Sequence, residues 1–77
     1  MTAPTNPEKL RAEIVRSYDE LSPRLQQVAK YVLDNPNDMA LQTLAVIADR
    51  CHVQPSTIVR FAKTFGYDGA SQMQELF

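Results

Sequence analysis

The prolines of this 77-residue sequence limit where its helices can begin and end. Inside an α-helix a proline removes a backbone hydrogen bond, but at the first helical position its missing N–H costs nothing. Asn6 stands before Pro7, and its side chain is of the kind that caps a helix N-terminus. Ser22 stands before Pro23 in the same way. Each of these pairs therefore predicts the start of a helix.

Two further prolines and one glycine set other boundaries. The residue before Pro36 is biased away from the α conformation, so we expect one helix to end at Asn35. Pro55 cannot lie inside a helix, so the preceding helix must end before it and the next must begin with Gln54 at the cap position. Gly66 follows that next helix, where a left-handed residue is favoured.

Apolar residues recur at spacings of three and four in five segments, and no segment alternates in the manner of a strand. The five predicted helices cover about residues 7–21, 23–34, 44–51, 55–65 and 69–77. Asp68 is expected to cap the last of them, and the segment 36–42 is predicted as a turn or a short helix around Met39. The sequence therefore predicts an all-α fold of five helices, with Ile14 and Phe61 in its core.

Length and composition favour one small domain over residues 1–77. Residues 1–6 form a polar stretch that we expect to be a mobile tail. The apolar pattern continues to Phe77, which indicates a fragment of a longer protein. No apolar run approaches the length that spans a membrane, and the N-terminal stretch lacks the pattern of a secretory signal. A single cysteine cannot form an internal disulfide, so the cytoplasm is the expected location.

The sequence offers little for catalysis or for a cofactor. One cysteine and one histidine do not supply a Cys/His zinc site. There is no glycine-rich loop to hold phosphate groups and no nucleophile with a recognisable base. We therefore expect no enzyme activity, no metal and no cofactor, and we interpret Cys51 as a small buried apolar residue.

Residues 43–66 fit the register of a helix-turn-helix motif, in which two short helices pack across a tight turn. Thr43 is a good cap for the first helix, and the small Ala48 lies where the two helices must approach closely. Val53 can fill the corner of the turn. We expect His52 to adopt a positive φ there, which histidine tolerates less well than glycine. In such a motif the second helix is the one that reads DNA.

The polar face of the helix that begins at Pro55 carries side chains suited to DNA. Arg60 can bind a guanine through two hydrogen bonds, and Gln54 can pair with an adenine. Hydroxyl groups near a helix N-terminus suit phosphate groups, and so does the lysine at position 63. The predicted DNA-binding residues are Thr43, Gln54, Ser56, Thr57, Arg60 and Lys63.

These residues also have plainer interpretations. Polar residues at a helix start can simply cap it, and Arg60 and Lys63 can be ordinary solvated side chains. Val59 lies between the two faces, so it can contact a thymine methyl group or be partly buried in the core. The formal net charge is −1, but residues 50–65 carry three basic residues and no acidic one. The local charge is therefore compatible with DNA.

The segments "LSPRLQQVAKYVLDNP" and "TLAVIADRCHVQPSTIVRFAKTFGYDGASQM", in this order, resemble the N-terminal domain of RpiR/MurR-type bacterial transcription regulators. The resemblance covers about residues 10–77. It implies a helical, winged-helix-like or homeodomain-like domain that binds double-stranded DNA. It also implies homodimers or tetramers and a downstream sugar-isomerase-type domain that senses phosphosugars. His52 departs from the family's usual glycine and Gln54 from its frequent serine, while Val46 replaces the acid that would complete a capping box with Thr43.

The sequence leaves two functions open. The first is the DNA-binding domain of a transcription regulator, which the resemblance connects with carbohydrate metabolism. The second is a helical interaction or dimerisation module whose helix-turn-helix is only a scaffold. Salt-dependent binding to duplex DNA favours the first, because phosphate contacts release counterions. Salt-insensitive self-association without DNA binding favours the second.

Overall fold

The computed structural model describes residues 3–77, and every regular element in that range is a helix. The predicted all-α class is confirmed. The elements are α1 (Pro7–Ser17), a 3₁₀ helix (Tyr18–Glu20), α2 (Pro23–Asp34), α3 (Pro36–Leu41), α4 (Leu44–Cys51), α5 (Pro55–Thr64) and α6 (Ala70–Gln74). Met1 and Thr2, which belong to the predicted tail, lie outside the described residues.

The helix starts follow the prolines and polar caps of the sequence. A proline occupies the first turn of α1, α2, α3 and α5. The side-chain oxygen of Asn6 accepts a hydrogen bond from the Lys9 N–H at 2.8 Å. Ser22 Oγ accepts one from the Leu25 N–H at 3.4 Å. A cap of this kind typically stabilises a helix by about 1 kcal/mol, so these boundaries are set by local interactions.

The first helix is shorter than the apolar pattern predicted. α1 ends at Ser17, and in the 3₁₀ helix that follows, Leu21 N donates to the Tyr18 carbonyl at 3.1 Å. The chain must become extended before Pro23, because a residue that precedes proline is disfavoured in the α conformation. Leu21 still reaches the core, with 9% of its surface exposed. The apolar spacing continues past the last residue of α1, and for this reason the sequence predicted too long a helix.

The described chain has six α-helices rather than the predicted five, because Pro36–Leu41 forms α3. Met39 is fully buried in the core. The hydroxyl of Tyr31 donates to the Asp38 carboxylate at 3.0 Å, and Arg50 donates to the same carboxylate at 2.8 Å. A helix of six residues is too short to be stable alone. One buried side chain and one shared carboxylate hold it against α2 and α4.

The cap residue of α6 is Gly69 rather than the predicted Asp68. The side-chain oxygen of Gln72 accepts hydrogen bonds from the backbone N–H groups of Asp68 and Gly69, at 2.7 and 3.1 Å. At the other end of α6, Gln74 Nε2 donates to the Gln42 carbonyl at 2.9 Å. A side chain inside α6 thus accepts hydrogen bonds from the two backbone amides that immediately precede the helix.

α5 packs against α2, α4 and α6. Its residues Ile58, Phe61 and Ala62 are fully buried. The rings of Phe61 and Phe65 have centroids 5.0 Å apart and are tilted by 52° to each other. Aromatic pairs prefer such a tilted arrangement to face-to-face stacking. No polar or charged residue is buried in the part of the chain that the structure describes. Apolar packing therefore sets the orientation of α5.

We expect Phe61→Ala to lower the free energy of unfolding by about 3–5 kcal/mol, because it removes buried contacts and leaves a cavity. Small domains can have a total stability of only about 5 kcal/mol. Arg60 is adjacent and exposed, so Arg60→Ala is the matched control and should change stability little. Urea denaturation followed by circular dichroism measures both variants. Equal losses in the two would mean that the core face of α5 is wrongly assigned.

Candidate nucleic-acid interface

A tight turn with one left-handed residue joins α4 to α5. His52 has φ 60° and ψ 40°, so its predicted positive φ is confirmed. The His52 N–H donates to the Asp49 carbonyl at 3.1 Å, and the Val53 N–H donates to the Ala48 carbonyl at 3.0 Å. Ala48 is buried, and Val53 is half-buried against the core. These bonds satisfy the last carbonyls of α4 and let the chain turn at once into α5.

Gln54 marks the start of α5. Its backbone carbonyl accepts a hydrogen bond from the Thr57 N–H at 2.9 Å. Its side chain is exposed and makes no capping hydrogen bond, so the structure does not support the capping interpretation of this residue. Pro55 follows at the first helical position. The carboxamide of Gln54 is thus accessible to an outside partner, and its contact with DNA stays a prediction.

Three of the predicted residues lie together on α5. Ser56, Arg60 and Lys63 are exposed, and their spacings of four and three place them on one stripe of the helix. A shallow depression follows this stripe, lined by these three residues together with Val59 and Thr64. We call these five residues the reading face. The buried residues of α5 lie on the opposite side of the helix, so the core holds the reading face outward.

The other three predicted residues do not line the depression. Thr43 is exposed at the start of α4, where its hydroxyl accepts a hydrogen bond from the Val46 N–H at 3.3 Å. Thr57 is half-buried at the edge between the reading face and the core. Gln54 precedes the helix. The hydroxyl of Thr43 thus caps α4, and the side chain of Thr57 is partly buried. A contact of either residue with DNA stays a prediction.

Two residues of the reading face are not among the six predicted DNA-binding residues, although the sequence leaves a thymine contact of Val59 open as an alternative to burial. Val59 is half-buried and packs with part of its surface against the core, and its spacing of three from Ser56 was the available signal. Thr64 lies four residues after Arg60, and its hydroxyl donates to the Arg60 carbonyl at 2.8 Å. That bond uses the Thr64 donor within the helix, so its methyl group and oxygen lone pairs remain for outside contacts.

The reading face carries two positive charges, and no acidic residue lines its depression. No aspartate or glutamate occurs between positions 50 and 68. In the described part of the chain neither Arg60 nor Lys63 forms an ion pair. Arg50, which the sequence analysis counted among the local bases, is instead paired with Asp38 at 2.8 Å. The charge offered to a partner on this side therefore comes from α5 itself.

Two titratable side chains near α5, those of Cys51 and Tyr67, are partly or fully buried. Burial raises the pKa of the Cys51 thiol to about 11, so the residue stays neutral and apolar, as predicted. Burial also raises the pKa of the Tyr67 hydroxyl, which donates to the Pro4 carbonyl at 2.8 Å. Gly66 adopts the expected positive φ of 96°, and a Cβ there would lie 3.2 Å from the Ala3 Cβ. These contacts hold the described part of the N-terminal stretch beside the end of α5.

Residues 3–77 contain no group of three His, Cys, Asp or Glu side chains placed to hold a metal ion. No helix in this range is both long enough and apolar enough to cross a membrane.

The two helices α4 and α5, joined by a tight turn and packed against the other helices, form a helix-turn-helix domain. Residues 8–75 match the helix-turn-helix domain of the rpiR family, so the chain belongs to that family and the resemblance is confirmed. One similar solved structure is the N-terminal domain of ybbH, a candidate transcriptional regulator from Bacillus subtilis subsp. subtilis str. 168. The two share 22% identity with a TM-score of 0.78 over 84% of this chain and 79% of that one, which supports the fold alone. No curated protein matches the chain.

We expect His52→Gly to leave the stability of the domain unchanged or to raise it by up to about 1 kcal/mol, because glycine adopts a positive φ without strain. The larger conformational freedom of glycine in the unfolded chain offsets part of this gain. Thermal denaturation of the variant beside the parent measures the difference. A clear loss of stability would show that the imidazole makes a contact that the turn depends on.

Proposed function

We propose that this domain binds double-stranded DNA within a transcription regulator and that α5 lies in the major groove. The observation that carries the proposal is the outward position of Ser56, Arg60 and Lys63, held there by the buried face of the same helix. With ten residues α5 is about 15 Å long. An α-helix with its side chains is about 10–12 Å wide, so it fits a major groove about 12 Å wide. Membership in the rpiR family supports the same function.

Each residue of the interface has a role in this proposal that matches its chemistry. Arg60 lies in the middle of the reading face and binds a guanine edge through two hydrogen bonds. Gln54 reads an adenine at the start of the helix. Lys63 and Ser56 contact phosphate oxygens, which fix position rather than sequence. The hydroxyls of Thr43 and Thr57 complete the contacts to the backbone of the duplex.

The wider biological role is also a proposal. The resemblance to RpiR/MurR-type regulators supports a phosphosugar-responsive regulator of carbohydrate metabolism that works in the cytoplasm. In such a protein a downstream domain senses the phosphosugar and joins two or more copies. The present domain then supplies DNA recognition, without catalysis, metal or cofactor.

Arg60→Ala should weaken binding to the cognate duplex by about 1–3 kcal/mol and binding to scrambled DNA much less, because it removes a base contact. Lys63→Ala should weaken both duplexes alike and lower the salt dependence by about one counterion, because it removes a phosphate contact. Cognate duplexes can be selected from a random pool with two copies of the 77-residue chain joined by a flexible linker. Titration of cognate and scrambled duplexes at two salt concentrations measures both effects.

Lys30→Ala is the matched control for these variants. Lys30 is exposed on α2, which packs against α5 through its own buried side, so it lies away from the reading face. Its replacement should leave both affinities close to those of the parent. If Arg60→Ala also binds both duplexes like the parent, α5 is not the reading helix. Salt-insensitive self-association of the chain would then favour the interaction module.

A single copy of the domain should bind non-specific DNA weakly, with a Kd of about 10⁻⁴–10⁻⁶ M at physiological salt. Two copies joined by a flexible linker should bind adjacent half-sites much more tightly, since linkage makes the second contact intramolecular. For a two-fold dimer on one face of the duplex, the half-sites should lie roughly 34–36 Å apart or a multiple of that. Footprinting of the linked dimer checks the spacing. Equally tight site-specific binding by a proven monomer would contradict this account.

A further inference from the structure

The reading face contains one side chain that is wholly apolar. Of the five residues that line the depression, Ser56, Arg60, Lys63 and Thr64 each carry a polar group, whereas Val59 does not. Val59 lies three residues after Ser56 and four before Lys63, so it is on the same stripe as the polar residues. An apolar group therefore lies within a polar surface that the preceding arguments assign to DNA.

The position of Val59 is more rigid than that of an ordinary surface residue. Part of its side chain packs against the core, and the rest lies in the depression. A valine in a helix strongly prefers one χ1 rotamer, so its two methyl groups have a nearly fixed direction. A scattered surface valine needs no functional explanation. Here, however, the residue is half-buried and borders both of the positive charges of α5.

Base edges in the major groove are polar with one exception, the C5 methyl group of thymine. An apolar side chain held at the surface of a reading helix can therefore distinguish thymine from cytosine, which lacks that methyl group. The neighbouring Arg60 is suited to guanine in the same groove. Val59 and Arg60 thus offer complementary chemistry to adjacent parts of a base sequence.

We propose that Val59 is a specificity residue that contacts the methyl group of a thymine in the bound site. This inference rests on the proposed function, since it requires α5 to lie in the major groove. It adds that the preferred site contains at least one thymine whose methyl group contributes to affinity. The half-buried side chain of Val59 excludes water from that methyl group on binding, so the contact is hydrophobic.

The test replaces thymine with deoxyuridine, which has the same base-pairing edge but lacks the C5 methyl group. Duplexes selected from a random pool by two linked copies of the 77-residue chain are resynthesised with each thymine replaced in turn. For the parent chain, replacement at one position should weaken binding by about 3- to 5-fold, the factor expected for burial of one methyl group. Val59→Ser and Val59→Asn, whose side chains carry no methyl group, should bind the thymine and deoxyuridine duplexes alike.

Val15→Ala serves as the matched control, because Val15 is 61% exposed on α1. It should retain the full loss caused by deoxyuridine. Val59→Asn provides the comparison if Val59→Ser proves less stable in thermal denaturation. If both Val59 variants keep the loss at that thymine, or if the parent tolerates every replacement, this inference is wrong while DNA binding stands. If two linked copies of the chain enrich no duplex, the proposed function is wrong and this inference with it.

Discussion

The burial of one face of α5 is the interaction on which the rest of the structure depends. A domain of 77 residues has a thin core, because a small domain buries only about 60% of its unfolded surface. Ile58 and Phe61 are among its fully buried side chains, and each such residue contributes about 1.5–3 kcal/mol. The helix that stabilises the fold is therefore also the helix that presents the reading face, so in the proposed function one element supplies both stability and recognition.

This arrangement makes the exposed face of α5 depend on the residue at which the helix starts. Successive residues of an α-helix are rotated by about 100°, so a shift of one residue would turn Arg60 away from the depression and expose part of the core face. The left-handed His52 and the proline at position 55 fix that starting residue from both sides of the turn. The shape of the turn thus determines which side chains a partner meets.

Much of the fold could be predicted because its signals are local. Proline and cap residues marked the helix starts, and apolar spacing identified the buried face of α5. The stability of α3 could not be read in this way, because it depends on a carboxylate shared between Tyr31 and Arg50. That pairing also removes Arg50 from the charge available to a partner, which the sequence could not show. The spacing of apolar residues gives no information about contacts between residues that are far apart in sequence.

In the candidate interface, too, local spacing predicted some features and missed others. Helical spacing correctly grouped Ser56, Arg60 and Lys63. It placed Thr57 with them, but this residue lies at a border where a small difference in helix orientation decides between exposure and burial. For Val59 the sequence left contact and burial as alternatives, whereas the structure shows a residue that takes part in both surfaces.

The most direct test of the central claim is a titration of the isotopically labelled chain with selected duplex DNA, followed by the backbone amide resonances. The account predicts that the largest saturable shifts fall on α5, at Ser56, Arg60 and Lys63, with smaller shifts at the start of α4. The exposed side of α2 around Lys30 should be unaffected. Shifts concentrated on α1 or α2, or shifts that depend on protein concentration and not on DNA, would contradict the claim that α5 is the surface that binds DNA.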